Sequence, residues 1–385
     1  MKILLINSIF YPAVGWGGPI TATYDLARKL AAKGNEVTVF TGNAKDYNSN
    51  LEIKNKIKIE GFEIQYFTNW SRGIRYFFTP GIIPALLKNI SKYDIVHINS
   101  YRQFQDMVSF IVLSIIKKPF VLTSHGYVLP EGVGKRYKKM YDFFIGKKIL
   151  RKSKKIIAFH EKNLKEYQKM GVDAKNIEII PNTIDIEKIP EKGNLRKKLG
   201  LKNNEKILLY LGRINEDKGI GYLIEAFSKI KQEKLHLVLA GPDFDFMDKA
   251  KKMIEDLKLE KRTHFLGLVE KKEKFEAFAD ADFTVYPSLH EAGISMVVLE
   301  SAAAAKPIII SDSIGFSEEV KSDNAGIAIP VKDIEQFSNA IEWMYLNETE
   351  AMEMGKRAQE IVKKKFSWEN AVQQHLKVYR EAIQI

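Results

Sequence analysis

Residues 287–304, PSLHEAGISMVVLESAAA, place two acidic residues, one on either side of a predicted helix start. A loop with Glu291 and Gly293 follows a strand pattern and precedes an apolar helix pattern that carries Glu300. The first N–H groups of such a helix suit an anionic diphosphate. Glu300 would accept hydrogen bonds from ribose hydroxyls, and Glu291 from the donor sugar. The diphosphate would contact the N–H groups of Gly293, Ile294 and Ser295. The alternative interpretation is two ordinary acidic residues near a helix start, which the helix dipole favours.

A cationic motif, LGRINEDKG (211–219), opens the second half of the chain. Arg213 and Lys218 lie across a loop that precedes a predicted helix. Two cations beside a helix N-terminus would clamp a diphosphate and neutralise the charge on a departing nucleotide. The alternative is a pair of surface cations, with Lys218 in a weak exposed ion pair with Glu216 or Asp217.

Two further candidates lie in the first half of the chain. The loop PAVGWGGP (12–19) carries Gly17 and Gly18, which permit close backbone approach to a phosphate or sugar. It is not GxGxxG, so the dinucleotide pattern fails, and a tight turn without a ligand is the alternative. His125, in TSHG (123–126), follows a predicted strand and would donate to a sugar hydroxyl or shuttle a proton. The alternative for His125 is a structural role, bonded to the backbone.

The composition excludes several kinds of site. The chain has 385 residues and no cysteine, so disulfides and thiolate metal sites are ruled out. The acidic stretch DFDFMD (243–248) is expected to be a solvated loop, because alternating Phe does not suggest converging carboxylates. We therefore predict no metal site. The start, MKILLINSIF, is interpreted as a strand rather than a signal peptide, and the apolar run at 107–116 is too short to span a bilayer. The sequence thus predicts a cytoplasmic protein.

The charge is unevenly distributed. Residues 1–190 hold 30 Lys and Arg against 16 Asp and Glu, whereas residues 191–385 hold 30 against 32. A basic first half indicates an anionic partner, which could be a membrane surface, a nucleic acid or a phosphorylated substrate. The alternative is a generally lysine-rich composition with a solvated surface. Residues 135–155 hold ten Lys and Arg against the single acid Asp142, with apolar residues at near-helical spacing. This pattern predicts a basic amphipathic helix on anionic lipid; the alternative is aromatic core packing under a solvated basic face.

Apolar runs of strand length alternate with helix patterns in both halves. Strands are predicted at 2–7, 36–41, 95–100, 120–124, 155–159, 177–182, 206–212, 235–241, 263–267, 283–287, 307–311 and 326–330. Unbroken apolar strands separated by helices predict parallel sheets, here two doubly wound Rossmann-like α/β domains that face a cleft. We predict an acceptor-binding domain at 1–188, a nucleotide-sugar-binding domain at 189–365, and a helix at 366–385, capped by Ser367, that packs back on the first domain.

Taken together, these segments resemble the family-4 retaining glycosyltransferases of the GT-B fold, also called glycosyltransferase group 1. The resemblance covers nearly the whole chain and depends on the order and spacing of its parts. Those parts are WGGP, TSHG, PNTID (181–185), LGRINEDKGIGYLIEAF (211–227), FLGLV (265–269), ADADFTVYPSLHEAGISMVVLESAAAAKPIIISD (279–312) and FSWENA.

The resemblance implies a metal-independent, cofactor-free transferase. It would move a hexosyl-type sugar, with retention, from a UDP- or GDP-linked donor to a glycan or lipid-linked acceptor in cell-surface polysaccharide or glycolipid synthesis. Arg213 and Lys218 would hold the diphosphate and Glu300 the ribose. Glu291 would bind the sugar, and His125 would act beside the reacting carbon. Membrane contact through 135–155, at the inner face, would follow from the basic first-domain surfaces of some members; no nucleic acid is expected.

The sequence departs from the family pattern at three places. Glu291 and Glu300 are separated by eight residues rather than seven, which places an extra residue near Ala292. Ala305 stands where the family has glycine, and Gly-Phe at 315–316 replaces a double glycine. These changes leave the role of Glu291 and the shape of the donor pocket open.

Two other functions remain as alternatives at this point. A nucleotide-sugar epimerase on the same architecture would release sugar nucleotides without an acceptor. A non-catalytic protein that binds lipid or nucleic acid would show salt-dependent binding to polyanions and consume no donor.

Overall fold

The computed structural model describes residues 1–16, 18–73, 76–125, 128–130, 134–184, 192–269, 271–290 and 293–384. The chain divides into two compact units. The first comprises Met1–Asn182 with Trp368–Ile385, and the second comprises Thr183–Ser367. Each unit is built on one largely parallel sheet with helical connections. The predicted fold class, two doubly wound α/β domains, is therefore confirmed.

The first unit contains an eight-stranded sheet. Its strands are β1 (Lys2–Asn7), β2 (Glu36–Gly42), β3 (Lys56–Ile59), β4 (Phe62–Phe67), β5 (Ile95–Ile98), β6 (Phe120–Leu122), β7 (Lys155–Ala158) and β8 (Ile177–Ile179). Their spatial order is β3-β4-β2-β1-β5-β6-β7-β8, and only the β3–β4 pair is antiparallel. The helices between them are α1 (Gly18–Ala32), α2 (Ile82–Asn89), α3 (Phe104–Ile115), α4 (Lys135–Tyr141), α5 (Lys147–Lys152) and α6 (Glu161–Lys169).

The second unit contains a six-stranded sheet in which every pair is parallel. Its strands are β9 (Lys206–Leu211), β10 (Leu235–Ala240), β11 (Thr263–Gly267), β12 (Phe283–Tyr286), β13 (Ile308–Ser311) and β14 (Ile327–Ile329), in the spatial order β11-β10-β9-β12-β13-β14. Its helices are α7 (Leu195–Lys198), α8 (Ile220–Ser228), α9 (Met247–Asp256), α10 (Lys271–Asp280), α11 (Met296–Ala303), α12 (Ser317–Ser322), α13 (Ile334–Leu346) and α14 (Glu348–Lys365).

The last helix, α15 (Trp368–Gln384), belongs to the first unit. It begins directly after Ser367, and its Leu376 and Tyr379 are buried among side chains of the first sheet. The Tyr379 hydroxyl lies 2.8 Å from Nδ1 of His97 on β5. The predicted domain limit at 188 falls outside the described residues, and the two units meet in sequence at 182–183.

All twelve predicted strands are present, although most were predicted to run too far at their carboxyl ends. β3 and β4 were not predicted. β3 reads KIKI and alternates exposed with half-buried side chains, so it lacks the unbroken apolar run of its neighbours. Alternation of this kind is typical of an antiparallel edge strand with one solvated face.

Candidate functional site

The second sheet has a topological switch point at β9, which lies between β10 and β12. The chain moves outward from β9 to β10 on one side and from β12 to β13 on the other. The carboxyl ends of β9 and β12 are therefore the edge at which ligands of doubly wound sheets bind. Arg213 and Lys218 follow β9, and residues 293–295 follow β12 and precede α11. The predicted diphosphate-binding segments thus share one edge of one sheet.

Backbone contacts join the two loops at this edge. The Leu289 N–H donates to the Asp217 carbonyl at 2.9 Å. Gly219, with φ of 71°, lies so close to Pro287 that an added Cβ would be 2.1 Å from the Pro287 carbonyl oxygen. Only glycine fits such a backbone conformation and approach. The N-terminus of α8 is therefore fixed against the carboxyl end of β12.

The two predicted cations differ in exposure. Arg213 is exposed, and its guanidinium carbon lies 5.1 Å from the centroid of the Phe244 ring. Lys218 is half-buried at the end of the short 3-10 helix Glu216–Lys218. Asn215 caps this turn, since its side-chain oxygen accepts from the Lys218 N–H at 3.2 Å. The turn therefore fixes the backbone from which Lys218 extends.

The start of α11 is supported from the loop after β13. The Gly293 carbonyl accepts from the Gly315 N–H at 3.1 Å, and the Ser288 carbonyl accepts from the Ser313 hydroxyl at 2.6 Å. Ser295 occupies the N-cap position, and among the described residues its side chain makes no capping hydrogen bond. N–H groups at this end of a helix have no partner within the helix itself, so an anion is a suitable partner for them.

Apolar packing fixes the orientation of the same helix. Ile294 is buried with Val298 and Leu299 in one core cluster. The Tyr286 hydroxyl, at the end of β12, donates to the Val297 carbonyl at 3.2 Å. The predicted contact of the Ile294 N–H with a diphosphate stays a prediction.

Glu300 lies one turn inside α11 and is almost completely buried. Its Oε1 atom forms an ion pair with the Nζ atom of Lys274 on α10. Lys274 was not predicted from the sequence, since no motif includes it and it lies 26 positions before Glu300. Burial raises the pKa of the Tyr286 hydroxyl, and the charge of Glu300 makes a smaller contribution in the same direction.

Three of the sequence-based predictions concern residues outside the described ranges. These residues are Gly17, Glu291 and Ala292. The roles predicted for Gly17 and Glu291, and the position of the extra residue, stay predictions. Gly18 is described, as the first residue of α1.

The other two departures from the family pattern have clear positions. Ala305 adopts a left-handed conformation with φ of 53°, which favours glycine. Its carbonyl oxygen would lie 2.2 Å from a Cβ added to Gly355, so α14 packs closely against this turn. Phe316 is fully buried, and its ring centroid lies 5.7 Å from that of Phe366. The Phe316 side chain therefore belongs to the core of the second unit.

In the first unit, His125 follows β6 with φ of 51°. Its Nε2 atom lies 3.4 Å from the Thr23 hydroxyl oxygen and 3.4 Å from Asn99 Oδ1. The Thr23 hydroxyl donates to the Pro19 carbonyl at 2.8 Å, so both oxygens face His125 as acceptors. This arrangement favours the tautomer with hydrogen on Nε2.

Burial lowers the pKa of His125 to about 4, with a smaller contribution from nearby His375. His125 is therefore neutral near pH 7 and suits hydrogen-bond donation better than donation of an imidazolium proton. Sequence reasoning did not single out Thr23 and Asn99. The sequence could have indicated them only by position, since Thr23 lies in the first turns of α1 and Asn99 directly follows β5. The catalytic role of His125 stays a prediction.

The basic segment 135–155 forms α4, a π-helical turn at Asp142–Gly146, and α5. Its acid, Asp142, is buried: Oδ2 accepts from Arg102 Nη2 at 2.7 Å and Oδ1 accepts from the Tyr101 hydroxyl at 2.8 Å. Tyr141 is also buried. Four apolar side chains remain exposed, at 45%, 55%, 77% and 64%: Tyr137, Met140, Phe143 and Phe144. Core packing therefore accounts for only part of the apolar pattern.

The described residues also bear on metal binding and on membrane crossing. In those residues, no three or more His, Asp or Glu side chains are grouped so as to hold a metal ion. Asp243, from the acidic stretch, accepts from the N–H groups of Phe246 and Met247 at 3.1 Å and so caps α9. No helix in the described parts of the chain has the length and apolar character needed to cross a bilayer. Metal independence stays a prediction.

Comparison with known proteins identifies the class of protein that this fold and site define. Residues 191–361 match the family "Glycosyl transferases group 1", and residues 16–188 match "Glycosyltransferase Family 4". The Anabaena protein HepE, solved in complex with UDP and glucose, superimposes with a TM-score of 0.80 at 18% identity, covering 99% of each chain. This similarity shows the GT-B fold.

Two curated relatives extend the comparison. An uncharacterized glycosyltransferase of Methanocaldococcus jannaschii is 25% identical over 100% of this chain and 99% of its own. The UDP-Gal:alpha-D-GlcNAc-diphosphoundecaprenol alpha-1,3-galactosyltransferase of Escherichia coli is 30% identical over 70% of this chain and 74% of its own. The chain belongs to the family-4, group 1 glycosyltransferases.

Proposed function

We propose that this glycosyltransferase moves a hexosyl-type sugar, with retention of anomeric configuration, from a UDP- or GDP-linked donor to a glycan or lipid-linked acceptor. One observation carries the proposal. At the switch point of the second sheet, the loop with Arg213 and Lys218 is bonded to the loop that leads into α11, and Glu300 lies one turn further along that helix. A diphosphate with an attached ribose fits this order of groups.

The proposed roles follow from the charges. Arg213, Lys218 and the first N–H groups of α11 would stabilise negative charge on the diphosphate as it departs. Glu300 would accept hydrogen bonds from the ribose hydroxyls. The carboxylate of Glu291 is assigned to the donor sugar on the family resemblance.

The proposed transfer requires neither a protein nucleophile nor a metal ion. The bond between the anomeric carbon and the diphosphate oxygen breaks, and its electron pair leaves with the diphosphate. The acceptor oxygen forms the new bond on the same face of the sugar, and its proton passes to the departing diphosphate. Neutral His125 would donate its Nε2 hydrogen to a sugar hydroxyl near the reacting carbon, in place of its long contacts with Thr23 and Asn99.

A lipid-linked acceptor is supported by the surface of the first unit. Phe143 and Phe144 are among its most exposed apolar residues, and seven Lys or Arg residues between 135 and 152 are exposed. Because Asp142 is buried in its pair with Arg102, the acid of this segment adds no negative charge to the surface. Basic and aromatic side chains together favour the interface of an anionic bilayer. The Escherichia coli relative is named for a diphosphoundecaprenol acceptor, which supports a cytoplasmic location at the inner face of a membrane and a role in glycolipid or cell-surface polysaccharide synthesis.

The donor is tested by thermal shift with UDP-, GDP- and ADP-linked sugars, followed by turnover with and without a polyprenyl-diphosphate-linked acceptor. A bound donor at 100 times its dissociation constant adds about 2.7 kcal/mol to the free energy of unfolding. We expect acceptor-dependent nucleoside diphosphate release and an NMR coupling constant that shows retention. Release of an isomerised sugar nucleotide without acceptor would indicate the epimerase instead, and no stabilisation by any donor would contradict the proposal.

The membrane surface is tested by sedimentation with phosphatidylglycerol vesicles. The double variant Phe143→Ser/Phe144→Ser is expected to lose most of its binding to anionic vesicles, since inserting these two exposed aromatic side chains into the bilayer contributes several kcal/mol. Leu346→Ser is the matched control, because Leu346 is 65% exposed but lies on α13 of the second unit. Equal binding of both variants would contradict the assignment of this surface.

A further inference from the structure

Lys274 stands out among the charged residues near the site because most of its side chain is withdrawn from solvent. The side chains of Lys274 and Glu300 are only 19% and 5% exposed, and their charged atoms are in direct contact. Lys274 is carried by α10 and Glu300 by α11, so the contact joins two helices that are separate in sequence. The Lys274 ammonium also lies 4.9 Å from the Phe275 ring centroid, which adds a favourable contact for the charge.

A buried ion pair needs a reason, because removing two charges from water is costly and an apolar pair of the same size is often as stable. Donor binding by the Glu300 carboxylate would explain why this ion pair is present. A carboxylate alone in this position would tend to take up a proton, and a protonated carboxyl accepts hydrogen bonds less well. A fixed neighbouring cation keeps the group ionised and holds it in one rotamer.

We propose that Lys274 is a positioning residue for donor binding: it holds the Glu300 carboxylate ionised and oriented toward the ribose hydroxyls. This inference rests on the proposed function, which assigns the ribose to Glu300. Lys274 acts through Glu300 and does not contact the diphosphate. We therefore expect the loss of Lys274 to weaken only that part of the nucleotide affinity which depends on the ribose hydroxyls.

The experiment compares UDP with 2′,3′-dideoxy-UDP by calorimetry. In the unmodified protein, UDP should bind more tightly than the dideoxy form. In Lys274→Met the UDP affinity should fall about tenfold, the effect of one charge-assisted hydrogen bond, with no change for the dideoxy form. Lys274→Arg should retain UDP affinity within about threefold, since Arg keeps the charge. If the donor panel selects guanosine, GDP and its dideoxy form replace this pair.

Two further variants distinguish a failure of the proposed Lys274 role from a failure of the ribose assignment to Glu300. Glu300→Gln should remove the difference between UDP and the dideoxy form, and Lys274→Met/Glu300→Gln should behave like Glu300→Gln alone. The double variant also removes both buried charges, so it tests the same coupling if Lys274→Met alone does not fold.

Three results would overturn the proposal. The first is that Lys274→Met keeps the full preference for UDP, and the second is that it weakens the binding of both ligands equally. Either result means that Lys274 contributes only to packing or to the diphosphate. If Glu300→Gln also keeps the preference for UDP, then the ribose assignment itself fails. Inorganic pyrophosphate provides the separate check, because its affinity should depend on Arg213 and not on Lys274.

Discussion

The diphosphate clamp makes a prediction about which part of a nucleotide each cation recognises. In Arg213→Met, we expect UDP to bind more weakly while uridine binds as before. Methionine keeps an apolar side chain that can contact the Phe244 ring, which lies 5.1 Å from the guanidinium in the native protein. The substitution therefore removes the charge with little change in packing.

The magnitude follows from exposure. A hydrogen bond to a charged group contributes about 1.5–3 kcal/mol. Arg213 is exposed, so solvent screening places it near the lower end, about tenfold in the dissociation constant. Lys218 is half-buried, and Lys218→Met should cost more, roughly 30- to 100-fold.

The assay is calorimetric titration of UDP and uridine at two salt concentrations. Lys251→Met is the matched control, because Lys251 is an exposed lysine on α9 of the same unit and follows no strand of the switch point. The two clamp variants should also show a smaller dependence of UDP affinity on salt than the control. Equal losses for UDP and uridine, or no loss in either clamp variant, would refute the reasoning.

Three more predictions concern stability. Ala305→Gly should raise the free energy of unfolding by about 0.5–1 kcal/mol in urea titration, because it relieves a left-handed residue at φ of 53°; a decrease would contradict the strain. Burial lowers the pKa of His375 to about 4. Its contribution to the free energy of unfolding is therefore fully present above the unfolded-state pKa near 6.5, and it is lost as the pH falls toward 4. The protein should therefore lose about 2 kcal/mol from this group between pH 7 and pH 5, and His375→Gln should flatten that profile; an unchanged profile would argue against it. Asp142→Asn should cost about 3–5 kcal/mol, since it leaves Arg102 buried without its partner charge; a loss below 1 kcal/mol would contradict the buried pair.

Much of the fold could be predicted from residue patterns because parallel strands are buried on both faces. The continuous apolar runs at 3–6 (ILLI) and 237–240 (LVLA) lie in β1 and β10. The same criterion missed β3, in which lysine alternates with isoleucine. Edge strands obey a different pattern, so a search for apolar runs does not find them.

The candidate site was predictable to the extent that its residues lie near one another in sequence. Arg213 and Lys218 flank one loop, and their place after a strand is enough to bring them to the ligand edge of a sheet. Lys274 could not be found this way, because its contact with Glu300 depends on how α10 and α11 pack. The αL backbone of His125 and the burial of Asp142 likewise depend on tertiary structure.

The central claim is that the carboxyl ends of β9 and β12 hold the donor diphosphate. A crystal structure of the protein with UDP tests it most directly. The account predicts diphosphate oxygens within about 3 Å of the N–H groups at the start of α11 and of the Arg213 and Lys218 side chains, with the ribose hydroxyls at Glu300. UDP bound at any other edge of the second sheet, or with its ribose away from Glu300, would contradict it.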